Sequence, residues 1–228
     1  MDFTNKNLCA LFDWNGETIY LTQTILSTWI IMAFLIVLAV IVRIRLSSFK
    51  SIPKGFQNVI ESLVEAMDSF AKNTMGEKLS SFGGYFFSVF AFIIISNYSG
   101  LFLLRPPTAD LATTAALAML TFLLIHISGI VMRKGQYFKD YFSPNPIFFP
   151  INLVGELAKP VSLGFRLFGN ILAGLIIIGL VYEMLPLVFR FVLPDILHAY
   201  LEVFAGALQA FIFTVLSMTF IRQKASNE

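Results

Sequence analysis

Long apolar runs alternate along this chain with short clusters of charge. Residues 18–42 form 25 positions without Asp, Glu, Lys or Arg. A spanning helix needs about 20 apolar residues at 1.5 Å rise each, so this run predicts one. Residues 79–104 and 111–132 repeat the pattern. Residues 151–185 and 194–222 are longer and carry isolated polar positions. As single helices they would measure roughly 50 and 40 Å, against a hydrocarbon core of about 30 Å. The excess predicts two helices lying obliquely, or for the first a kink at Pro160.

One segment has a different period. Phe56, Val59, Ile60, Leu63, Val64, Met67 and Phe70 recur at helical spacing, while Gln57, Glu61, Glu65, Asp68 and Lys72 cover the other side. This predicts an amphipathic helix over about 53–75, on the membrane surface or against neighbouring helices, closed by Gly76. Its charges read as a solvated face. Arg105-Pro-Pro-Thr-Ala-Asp110 reads as a tight turn between the second and third spans. Pro144, Pro146 and Pro150 break the chain over 137–150 into an interfacial or re-entrant connector.

Composition agrees with the pattern. Hydrophobic residues make up 57% of the 228 and charged residues 13%, about half the share of a soluble domain. The expected fold is an all-α integral membrane domain covering residues 1–228, with about five spanning helices and one amphipathic surface helix. The net charge of +2 gives no reason to expect a nucleic-acid partner. Cys9, the only cysteine, allows neither an internal disulfide nor a thiolate metal site, and no cofactor is expected. The start of the chain, with Asp2, Lys6, Asp13 and Glu17, does not read as a cleaved signal.

Cations mark one side of the membrane. Arg43, Arg45, Lys50 and Lys54 follow the first span, Arg133, Lys134 and Lys139 the third, and Arg222 and Lys224 the last. The positive-inside rule predicts the N-terminus outside and the C-terminus in the cytoplasm. No repeat is visible in either orientation, which weakens a secondary-transporter reading.

Two of the spans carry chemistry. Ser162, Arg166 and Asn170 lie four residues apart on one helix face, beside the small residues Gly169 and Ala173. An arginine at bilayer depth costs about 2.5–3.5 kcal/mol on insertion scales and keeps its charge at working pH. A persistent cation there implies an anionic visitor, and so an ion pathway. On the last span His198, Glu202 and Gln209 share a second stripe, with Ala205 and Gly206 between. A short turn near Pro194 makes these two helices antiparallel neighbours, which puts Gln209 near the level of Arg166 or Asn170, and Glu202 nearer the outside. Glu202 and His198 can exchange protons or hold water, while Gln209 and Asn170 can orient the guanidinium. Glu183 and Arg190 lie toward the outer end, and Glu156 and Lys159 read as an ordinary pair at a helix end. His126, alone in the third span, reads as a packing residue.

Lys159-Pro-Val-Ser-Leu-Gly-Phe-Arg-Leu-Phe-Gly-Asn-Ile-Leu-Ala-Gly174 resembles the signature of subunit a of the rotary F-type ATP synthases. Leu208-Gln-Ala-Phe-Ile-Phe-Thr-Val-Leu-Ser217 is a second match. Ser96-Asn97, the Pro106–Asp110 turn and the Pro53–Gly76 segment are weaker ones. The resemblance implies a stator with its last two helices against a rotor ring of small hairpin subunits, near peripheral-stalk membrane subunits. It implies two offset half-channels carrying protons or sodium ions to ring carboxylates, separated by Arg166 opposite Gln209. Glu202 falls where the family carries an ionisable residue, and Asn170 and Ser162 match polar positions flanking the arginine. Leu175 departs from the pattern, standing where the family usually carries an ionisable side chain. Glu202, helped by Glu183 or His198, is expected to serve alone. A bacterial plasma membrane is the expected location. The competing readings are a stand-alone channel or transporter and a purely structural assembly protein.

Overall fold

The chain is described by a computed structural model covering residues 7–14, 17–50, 52–102, 104–143, 145–184, 186 and 193–226. It opens with an antiparallel hairpin of β1 (Asn7–Trp14) and β2 (Glu17–Thr22). Cys9 is paired with Leu21 and Trp14 with Glu17, with a register shift between Ala10 and Phe12. This hairpin corrects the expected first span, which counted 18–22 as helix. The run is uncharged, but its Thr, Ile and Tyr residues suit a pleated strand better than a helix. The helix starts where Thr22 caps it, its Oγ1 accepting from the Ile25 amide at 3.4 Å.

Among the described residues seven helices follow. They are α1 (Gln23–Arg45), α2 (Phe56–Met75), α3 (Gly83–Tyr98, preceded by a 3₁₀ segment from Glu77), α4 (Leu111–Arg133), α5 (Gly135–Asp140), α6 (Phe149–Met184) and α7 (Leu193–Ala225). Five of them, α1, α3, α4, α6 and α7, are long and apolar enough to cross a membrane. Pro160 lies inside α6, which still runs 36 residues, about 54 Å at the standard rise. Gly76 closes α2 at φ 84°, a conformation that a side chain would strain. The connector after α4 holds the short α5 and a 3₁₀ turn at Pro146–Phe148.

Contacts divide the chain into two units: Met1–Ile52, Ala91–Asp110 and Phe168–Gln209 form the first, and Pro53–Phe90, Leu111–Leu167 and Ala210–Glu228 the second. In the first, α1 turns Trp29, Phe34, Ile36 and Val37 outward and buries Thr24, Ser27 and Ile31. That inversion suits lipid, which solvates apolar side chains as well as a protein core does. Gly174 sits close to Leu201, and the Tyr182 and His198 rings lie 6.2 Å apart. As one number rises the other falls, so these halves of α6 and α7 run antiparallel.

The second unit has its own core of Ala71, Met75, Leu79, Phe86, Ile125, Met218 and Ile221. Half of the α2 pattern is thereby explained, since its later apolar residues enter this core while Val59 and Leu63 remain exposed. On α4 the buried face is Thr114, Ala118, Thr121, Ile125 and Ser128, mostly small residues at alternating steps of four and three. Small side chains let helices approach closely, and Gly164 of α6 packs against Ala118. Glu156 Oε1 lies 2.8 Å from Lys159 Nζ and 2.9 Å from Lys224 Nζ. The expected two-residue pair is therefore a three-residue cluster, joining the start of α6 to the end of α7. Beside it the Lys224 ammonium lies over the Tyr141 ring at 4.7 Å. Burial first, and then the Tyr141 hydroxyl at 2.7 Å, push the Tyr137 phenol above its ordinary pKa. Tyr137 therefore stays neutral at any working pH. His126 Nδ1 is 2.9 Å from the Phe122 carbonyl and can only donate there, which leaves Nε2 facing the Tyr141 hydroxyl at 3.4 Å.

Candidate functional site

The first group of site residues is set by α6. Arg166 is the eighteenth of its 36 residues, counting from Phe149. Leu163 and Leu167 turn inward and are almost fully buried. The neighbouring face is exposed and carries Ser162, Arg166, Gly169, Asn170 and Ala173. Val161 and Phe165, both more than half exposed, flank this polar stripe. The spacing that put Ser162, Arg166 and Asn170 on one face is thus seen on the outward face. A guanidinium midway along a membrane helix, among lipid-exposed side chains, must meet polar or charged partners.

The second group lies in the first unit. His198 Nδ1 is 2.9 Å from Glu202 Oε1, one turn on. Glu202 is 7% exposed, and its Oε2 has no hydrogen-bond partner among the described residues. Gln209 is also buried, whereas Glu183 and Asn170 are exposed. Leu175 is half-buried. Arg190 and the turn that precedes Pro194 lie outside the described residues.

Two features escaped the sequence reading. Residues Ala199–Phe204 of α7 form a π-helical stretch, with Glu202 inside it. Such turns are rare and concentrate at functional sites, because the wider turn re-aims side chains and loosens the backbone ladder. The other feature is a polar tie from α3 to α7. The Asn97 amide donates to the Gly206 carbonyl at 2.8 Å, and the Thr108 hydroxyl donates to Asn97 Oδ1 at 2.7 Å. This gives the Ser96-Asn97 and Pro106–Asp110 motifs a physical meaning: the turn supplies Thr108, and Thr108 holds Asn97. Above the tie, Gly100 approaches Glu202 so closely that an added Cβ would lie 3.0 Å from Oε1. Gly206 is as tight, since a Cβ there would lie 3.0 Å from the Asn97 Cβ. The i, i+3 spacing of Asn97 and Gly100 brings one to the backbone of α7 and the other to its carboxylate.

Residues 25–222 match the family described as ATP synthase A chain. The sodium ion specific ATP synthase subunit a of Propionigenium modestum is 35% identical, covering 88% of this chain and 73% of the relative. The ATP synthase subunit a of Moorella thermoacetica is 36% identical, covering 87% of this chain and 88% of the relative. The five apolar helices and the match across almost all of them lead to one conclusion: this multi-pass membrane protein belongs to the ATP synthase A chain family and is an ion-translocating part of that complex.

Proposed function

We propose that the chain is the stator that leads ions to and from a rotor ring through two offset half-channels, with Arg166 separating them. The observation that carries this reading is the exposed Arg166, Ser162 and Asn170 stripe in the middle of α6. A permanent charge facing outward at that depth is tolerable only if a passing polar partner covers it. Ring carboxylates fit. Near the guanidinium a carboxylate is held ionised by the opposite charge. Once loaded with an ion it is neutral and can face lipid, which a bare carboxylate cannot do at acceptable cost. The membrane potential supplies about 2.3 kcal/mol per charge per 100 mV to drive the cycle.

Glu202, with His198 against one oxygen and the other oxygen without a hydrogen-bond partner among the described residues, is the proposed loading residue of the outer half-channel. Glu183 lies toward its mouth. Gln209 and Asn170 orient Arg166 or the passing carboxylate. The reading makes the chain a non-catalytic subunit of a bacterial plasma membrane complex, with its N-terminus outside and its C-terminus in the cytoplasm. Its partners are the ring and the membrane parts of the peripheral stalk, and residues 1–228 work as one membrane domain. Protons and sodium ions are both admissible cargo, because the binding site that chooses between them lies on the ring. One relative is named sodium ion specific.

The test is Arg166→Ala in the assembled complex. It should insert and assemble normally yet lose ATP-driven pumping and ion-driven synthesis. Arg166→Lys should fail too, because an ammonium lacks the planar fork and shifts its pKa readily when buried. Normal pumping by Arg166→Ala would refute the model. The purified chain in liposomes should pass little selective current without a ring, whereas a stand-alone channel would conduct.

A further inference from the structure

We infer that a groove in the second unit, between α2 and the spans α3 and α7, holds one acyl chain of a membrane phospholipid. The cavity measures about 220 Å³. Phe70 of α2, Phe87 and Phe90 of α3 and Phe211 of α7 give it four ring walls. Phe70 and Phe211 close on each other, with ring centroids 5.6 Å apart. Thr214 also lines the groove, but its hydroxyl donates to the Ala210 carbonyl at 2.8 Å and needs no ligand.

The amphipathic pattern of α2 sets the depth. Glu61 and Glu65 are exposed on its polar side. Toward its end the apolar residues Ala71 and Met75 enter the core, whereas Leu63 lines the groove one turn and more before them. A helix of this kind seats its apolar face about 5–10 Å into the boundary between headgroups and acyl chains. The groove under it therefore opens where acyl chains begin. Leu63 and Phe211 are 52% and 48% exposed, so the groove runs out onto the surface that the span α7 turns to lipid.

The lining selects among occupants. Water needs two to four polar partners, and an apolar cavity stays dry. One turn of a partner helix, about 10 Å across and 5.4 Å tall, takes roughly 400 Å³, too much for this groove. A slim chain of methylenes fits between ring faces. Its hold comes from dispersion contacts, which the lining forfeits if nothing fills it, because surrounding hydrocarbon offers no hydrophobic drive. Among the described residues the lining carries no charge, so the headgroup is not read.

The test uses the full chain in detergent, with bound lipid counted by native mass spectrometry. The probes are dioleoylphosphatidylcholine, dioleoylphosphatidylglycerol and dihexanoylphosphatidylcholine. The two dioleoyl lipids should bind within about twofold of each other, since no lining cation favours the anionic one. The six-carbon chains should bind about tenfold or more weakly, because they leave ring contacts unmade. Ala66→Phe, which fills the groove from an exposed position on α2, should weaken dioleoyl binding about tenfold or more by taking the same contacts. A readout on the unaltered chain guards against misfolding of that variant. Adding dioleoylphosphatidylcholine to delipidated wild type should slow amide exchange over residues 63–70 about fivefold or more, as local opening of α2 becomes costlier. Unchanged exchange overturns the inference, as does equal binding of the short-chain lipid or a strong headgroup preference. Wild-type binding by a folded Ala66→Phe variant overturns it too, by putting the lipid elsewhere. In the assembled complex a photo-crosslinker at position 66 should capture phospholipid, and capture of another subunit would make the occupant a protein and overturn the lipid assignment.

Discussion

Glu202 and Arg166 solve opposite problems at single positions. Arg166 is exposed on the outward face of α6, where the proposed passing carboxylate could reach it. Glu202 is inward, with His198 at 2.9 Å from one oxygen and, among the described residues, no hydrogen-bond partner at the other. A buried carboxyl with a spare oxygen can accept an ion and pass it on, and a carboxamide cannot. Glu202→Gln should therefore cut ion-driven ATP synthesis by the reconstituted complex about a hundredfold or more, within the range lost when a proton-transfer group is removed. His198→Ala should cost less, because the imidazole touches the carboxyl without replacing it. Full synthesis by Glu202→Gln would remove this residue from the path and throw the load onto Glu183.

At the scale of elements, what matters is how α3 and α7 position that carboxyl. Gly100→Ala removes no titratable group and no hydrogen bond. Its methyl would lie 3.0–3.1 Å from three atoms of the Glu202 carboxyl, tighter than ordinary contact, so the carboxyl must move. The expected result is a slower enzyme with normal assembly, read as synthesis rate per complex detected on blots. A rate equal to the wild type would mean that the carboxyl has room to spare. Asn97→Ala should act on stability instead. It strips the donor from the Gly206 carbonyl and the acceptor from Thr108, at a cost of about 1–3 kcal/mol in thermal unfolding of the detergent-solubilised chain. The sequence offered Asn97 and the Thr108 turn only as weak matches, and Gly100 not at all. The stripes on α6 and α7 were legible because helical spacing alone puts Ser162, Arg166 and Asn170 together. The apolar runs likewise fixed the number of spans. The π-helical stretch was not legible, since Ala199–Phe204 has no composition that would mark an extra residue per turn. The hairpin was missed because the strand-favouring Thr18–Thr22 joins the apolar run of α1 without a charge to mark the boundary at Thr22.

Over the whole molecule, lipid provides no hydrophobic drive to bring helices together, so specific ties at their ends carry weight. In the second unit the tie is Glu156, one carboxylate between Lys159 and Lys224, all three largely buried. The cluster is lopsided: two cations depend on one anion, while the anion has two partners. Losing Lys224 leaves Glu156 still paired with Lys159. Losing the carboxylate leaves two ammoniums confined together beside the Phe220, Tyr137 and Tyr141 ring faces. Glu156→Gln should thus destabilise the chain by about 3–5 kcal/mol, the usual cost of removing one side of a buried pair. Lys224→Gln should cost clearly less, and adding it to Glu156→Gln should recover part of the loss. Thermal unfolding of the three variants in detergent measures the ordering. If Lys224→Gln proved as damaging as Glu156→Gln, the carboxylate would not be the hub, and the ring stacking of Lys224 would have to hold the end of α7 instead.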